Sequence, residues 1–126
     1  MNPEFSNCIM VAFVSDVEKI DNGKVILKAG KIFDSFNTAD FSLDPQSQES
    51  KSSLLHSIAT SLYIDKVTQD VAKRYSIMRR VIISFDVAGN PFILGSKSYP
   101  ALVHIIPNLQ ADILKISHKS PDPYQF

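Results

Sequence analysis

Residues 79–100 read RRVIISFDVAGNPFILGSKSYP, and this stretch decides the fold class. Arg80 to Val87 is rich in β-branched and aromatic residues, which fit a pleated, half-buried surface. Ala88-Gly89-Asn90 interrupts the run, and Phe92-Ile93-Leu94 starts a return. Gly89 supplies the positive φ that a tight hairpin turn needs, and Asn90 tolerates it. Pro91 has no N–H to give a ladder, so it belongs at the start of the second strand, on a non-bonding position. The stretch predicts a β-hairpin, and it contains no catalytic chemistry.

Working outward, Asn7 to Val17 (NCIMVAFVSDV) is a continuous apolar run of strand length, expected to be a strand buried on both faces, or a central one. Asp21-Asn22-Gly23 signals a turn into KVILKA, Lys24 to Ala29, so the two runs predict a second hairpin. Gly30 allows a bend, and Lys31 to Phe36 predicts a further short strand. Residues 54–64, LLHSIATSLYI, fit a helix face through Leu54, Leu55, Ile58 and Leu62. They also fit a strand through Ile58, Thr60, Leu62 and Ile64, and Thr60, Tyr63 and Ile64 favour strand for the second half. Asp65 is placed to cap a helix from Lys66 to about Ser76, with Val67, Val71, Tyr75 and Met78 on one stripe. Ala101 to Ile106 and Ala111 to Ser117 predict two more strands. The expectation is an α+β fold: a mainly antiparallel sheet, or a partly closed barrel, with one or two short helices.

Two segments stand apart from this pattern. Residues 42–53 hold the polar run DPQSQESKSS and predict an exposed loop or arm. Residues 119–126 contain two prolines and two aromatic residues and predict an extended tail. The rest of the 126 residues is expected to form a single globular domain with a core of its own.

Thirteen basic residues balance thirteen acidic ones, so the chain lacks the basic excess with which proteins collect phosphates. Neither a nucleic acid nor a membrane surface is expected as a partner. The balance hides an asymmetry: residues 1–50 carry eight acidic residues and four lysines, whereas residues 51–126 carry nine basic and five acidic residues. Oppositely charged halves attract within a fold or between copies. A signal peptide and a long apolar span are not legible, so the chain is expected to be soluble and made in a cytoplasm.

The search for chemistry yields little. Cys8 is the single cysteine, and its neighbours Ile9, Met10 and Val11 predict a small buried apolar residue. His56, His104 and His118 have no metal-ligand spacing, and the glycines form no phosphate loop. The expectation is a chain without catalytic residues, cofactor, metal or small-molecule ligand. Lys73, Arg74, Arg79 and Arg80 give four cations within eight residues, with Tyr75 among them. Helix-end and solvated roles are the bland reading; contact with a partner is the functional one. Tyr124 and Phe126 join these cations as candidate interface residues, because buried aromatics dominate interface energetics.

Residues 79–103, RRVIISFDVAGNPFILGSKSYPALV, resemble a pattern in small structural proteins of tailed bacteriophages and prophages. There a strand, a D-x-x-G turn and a return strand ending in Leu-Gly-Ser precede a short loop and a proline. The matching positions are Asp86, Gly89, Leu94-Gly95-Ser96 and Pro100. The resemblance implies a virion subunit of the tail, neck or capsid surface, assembled in the host cytoplasm. It would contact copies of itself or neighbouring virion proteins. The alternative is a small ligand- or protein-binding module of a bacterial cytoplasmic protein.

Overall fold

In a computed structural model, residues 7–21, 24–38, 46–49, 54–87 and 89–121 are described. The strands in chain order are β1 Cys8–Phe13, β2 Val17–Asp21, β3 Lys24–Leu27, β4 Asp34–Asn37, β5 Gln46–Glu49 and β6 Leu54–Ile64. After the helix α1, Gln69–Arg74, come β7 Arg79–Val87, β8 Asn90–Leu94, β9 Ala101–Ile106 and β10 Asp112–Ser120. All pairings are antiparallel. The main sheet runs β4-β1-β7-β9-β10-β6-β5, with β8 also on β7, and β2 pairs with β3 in a separate ribbon. The fold is therefore mainly β, and the α+β expectation is only approximate: one six-residue helix is present among the described residues.

The 79–100 hairpin forms as the sequence predicts, with Val87 opposite Asn90 and Gly89 at φ 82°. Pro91 stands opposite Asp86 on a strand that pairs with β7 alone, where a missing N–H is tolerated. One edge of β7 is shared. Ile83–Val87 hold β8, and Arg79–Val81 hold β9, so the chain leaves and rejoins the same edge. Gly95 makes this possible at φ 101°. A Cβ there would lie 2.9 Å from Ala101 N and 3.2 Å from Val81 O.

The main core lies on the inner face. β10 alternates strictly, with Leu114, Ile116 and His118 inward, and β7 contributes Val81, Ile83, Phe85 and Val87. The sheet does not close into a barrel. At one corner Thr38 bridges to Ile64, its Oγ1 donating to the Tyr63 carbonyl at 2.9 Å. Tyr75 plugs the interior beside that corner. It is fully buried, its ring 5.4 Å from Phe13 and 5.6 Å from Phe36, and its hydroxyl donates to Asp34 Oδ2 at 2.5 Å. Burial foremost, and then the Asp34 carboxylate, drives the Tyr75 pKa strongly upward, so the phenol stays neutral.

Several expectations need correction. The apolar run 7–17 is not one strand: Val14–Asp16 form a single 3-10 turn, and β2 leaves the main sheet. Cys8 is exposed, because it has the opposite parity to the fully buried Ile9 and Val11. Residues 54–64 are strand throughout, and β5 forms within the expected polar loop by pairing with β6. The remainder of that loop lies outside the described residues. The helix starts later than expected. Asp65 spends its N–H on the Asn37 carbonyl at 3.0 Å, and Thr68 is the N-cap, its Oγ1 accepting from Val71 N at 3.4 Å. Met78 falls beyond the helix end and is 60 % exposed, so it leaves the predicted stripe. Lys119 and Ser120 belong to β10 rather than to a tail.

Candidate functional site

The outer face of the main sheet is finished in two ways. Over β1, β7 and β8, the outward Ala12, Ile82 and Ile93 are covered by the β2–β3 hairpin, which brings Val17, Val25 and Leu27 into a second apolar cluster. The 3-10 turn at Val14–Asp16 swings that hairpin over the sheet. Over β9, β10 and β6 no described element covers the outer face.

The register of the bare half orders its side chains in rows. Tyr63, Ile113 and Ile106 stand side by side across β6, β10 and β9. Next come Ser61, Lys115 and His104, and then Ala59, Ser117 and Leu102, with Arg80 of β7 opposite Leu102. Ser57 beside Lys119 closes the series. The first row is apolar yet wet: Tyr63 is 67 % and Ile106 37 % exposed. Arg80, Lys115 and Lys119 are exposed cations, and none of the outward residues in these rows is acidic.

Two adjoining depressions of about 340 and 440 Å³ share Ala59, Leu102 and Ser117. Together they form a shallow trough with a floor of small side chains. Met78 and His104 stand at one end, and Tyr99 and Pro100 at the other. The Tyr99 wall is pinned from below, where its carbonyl accepts from His118 Nε2 at 2.8 Å and from Ser96 N at 3.0 Å. The Tyr99 N–H donates to Ser96 Oγ at 3.0 Å. Burial lowers the His118 pKa, with the Tyr99 bond acting in the opposite direction, so at neutral pH the ring is uncharged and its Nε2–H serves the wall.

The far end of this half is held by a buried carboxylate. Asp112 accepts from Lys66 Nζ at 2.8 Å, from Val67 N at 3.0 Å and from Asn108 N at 3.3 Å. Lys66 also donates to the Asn108 carbonyl. The Lys66 ammonium, followed by the Val67 N–H, holds the Asp112 carboxyl below its ordinary range. This clamp fixes the link between β6 and α1 against the turn between β9 and β10.

The structure separates the candidate cations. Lys73 is exposed on α1, and Arg74 pairs with Asp34 at 2.5 Å. Arg79 points inward, its guanidinium 4.5 Å from the Phe13 ring centroid, a cation–π contact. Arg80 alone of the four lies on the bare face. Tyr124 and Phe126 lie outside the described residues. The small-residue floor and the Tyr63 row went unseen in sequence, because their members sit on three strands whose register no local pattern reveals.

A second cleft of about 390 Å³ runs between β4 and the 65–71 segment, with Asp34 at its mouth. Both Asp34 oxygens are engaged, by Arg74 and Tyr75. Among the described residues no group of three or more His, Cys, Asp or Glu is placed to hold a metal, and no helix is long and apolar enough to cross a membrane. Comparison of the chain with protein families, with curated proteins and with solved structures finds no match.

Proposed function

We propose that this protein is a non-enzymatic assembly subunit, and that the bare outer half of its sheet is a contact surface. The observation that carries this reading is the unequal finish of one sheet. An apolar row and a small-residue trough lie open on one half, while the other half is sealed by a hairpin. Interface cores are apolar and aromatic with charges around them, and the row Tyr63, Ile113 and Ile106 has that character, with Lys115, Arg80 and Lys119 in the rows beside and beyond it. The resemblance of residues 79–103 to phage structural proteins supports the reading that the assembly is a virion, with copies of this chain or neighbouring virion proteins as partners.

The trough also favours a second reading, a module that binds a small ligand. The two readings separate in solution. An assembly subunit self-associates as concentration rises and is found by mass spectrometry at fixed stoichiometry in purified particles. A strictly monomeric chain absent from particles would overturn the assembly reading.

A further inference from the structure

We propose that the trough receives the segment Asp122–Phe126 of a second copy of this chain, laid across β6, β10 and β9. The proposal rests on the assembly reading and names the occupant of its surface. The two chemistries are complementary. The segment DPYQF brings one carboxylate, two aromatic rings and no cation. The trough offers Leu102 and the exposed Met78 to the rings and Lys115 and Lys119 to the carboxylate, with the exposed Arg80 opposite Leu102 beside it. Thioether–aromatic contacts are favourable, and the small Ala59 and Ser117 leave room for a ring to lie on the sheet.

Reach and direction agree. Five extended residues span about 17 Å, and three strands about 4.8 Å apart span about 10 Å between their outer axes, so the segment is long enough to cross the three bare strands. β10 ends at Ser120, paired with His56, and the sequence continues Pro121-Asp122-Pro123. β10 runs from Asp112 to Ser120 and so carries the chain past Ser117 and Lys119, away from the trough; its own segment would have to fold back to enter it, whereas the segment of a neighbouring copy need not. Such a contact is heterologous, tail into trough, and propagates into a ring or a filament.

The test uses full-length chains. The variant Tyr124→Ser with Phe126→Ser is expected to weaken self-association at least tenfold in sedimentation velocity, with Tm unchanged. A synthetic peptide SPDPYQF titrated into that variant is expected to shift the amide resonances of Ala59, Leu102 and Ser117. Ala59→Trp, which fills the floor from an exposed position, should abolish those shifts, and Lys119→Glu should weaken peptide binding by about two- to fivefold. Peptide shifts that avoid the trough, or their absence, overturn the proposal. Equal self-association of the parent and the double variant overturns it while leaving the assembly reading intact. If the parent stays monomeric at every concentration, the assembly reading falls. If its trough resonances then already match the peptide-bound state, the segment occupies its own trough and the second copy is excluded.

Discussion

Arg80 and Ile82 are two residues apart on the same face of β7, yet Ile82 is fully buried and Arg80 is exposed. The boundary between the covered and bare halves of the sheet passes between them. On the covered side, the β2–β3 hairpin packs against Ala12, Ile82 and Ile93, so burial stabilises the fold there. On the bare side, Tyr63, Ser61, Ala59, Lys115 and Ile106 are exposed and Ile113, His104, Leu102 and Ser117 are half-buried, so the fold gains less from these rows. Residues that the fold does not need for stability are free to serve contact, and this is what the difference between the halves teaches.

Breaking the comparison starts with matched carboxylates. Ile82→Asp buries an unpaired charge and should cost about 4 kcal/mol or more in denaturant unfolding, enough to abolish folding of a marginal domain. Ile106→Asp, on the bare half, should cost about 1 kcal/mol or less. Equal costs would mean that the bare half is covered within the folded chain.

A backbone test follows. Gly95 stands where the chain passes from the covered half to the bare one, and Gly95→Ala forces a Cβ to within 2.9 Å of Ala101 N at a positive φ. We expect a loss of about 2–4 kcal/mol, because both the contact and the conformation oppose it. Gly89, with φ 82° and open space around it, should lose only about 1 kcal/mol on the same change. A reversed order in thermal melts would show that the shared edge of β7 is misplaced.

Two titrations sharpen the account at the ends of the bare half. Asp112 has its folded pKa lowered by Lys66 and Val67, so its contribution is full above the unfolded value of 3.8 and is lost as pH falls through the folded one. Asp112→Asn should cost about 1–3 kcal/mol at neutral pH and flatten the acid side of the stability curve. His118 also has a lowered folded pKa, in its case chiefly from burial. Its contribution is complete above 6.5 and declines as pH falls below that value, where the unfolded chain takes up the proton first. His118→Gln should remove the slope just below 6.5 and cost about 1 kcal/mol at neutral pH. An unchanged slope there would show that the ring is not held neutral beneath Tyr99.

Much of the fold was legible because alternation and turn chemistry are local. The hairpin at Gly89 and the short strand at 101–106 follow from neighbours in sequence, as do β3 within the expected 24–29 and β10 over most of the expected 111–117. The misses have one cause each. A continuous apolar run such as CIMVAFV hides its parity, so the exposure of Cys8 and the turn at Val14–Asp16 went unseen. An edge strand needs only main-chain pairing, so the polar β5 gave no apolar signal. Asp65 looked like a helix cap because its bond to Asn37 spans a long stretch of chain. The Lys66–Asp112 clamp and the trough join residues 40 or more positions apart, and only topology brings them together. Of the candidate cations, Arg80 alone reached the face that geometry selects.

The central claim is that the bare half, and not the hairpin side, mediates assembly. Sedimentation velocity over a range of concentrations tests it most directly, comparing the parent with Tyr63→Asp/Ile106→Asp on the bare half and Ile20→Asp/Ile26→Asp on the hairpin. Each pair removes two exposed apolar side chains, Tyr63 at 67 %, Ile106 at 37 %, Ile20 at 38 % and Ile26 at 37 % exposure. The account predicts that the parent and the hairpin variant assemble alike, while the bare-half variant sediments as a folded monomer. Assembly that survives in the bare-half variant and fails in the hairpin variant would contradict it.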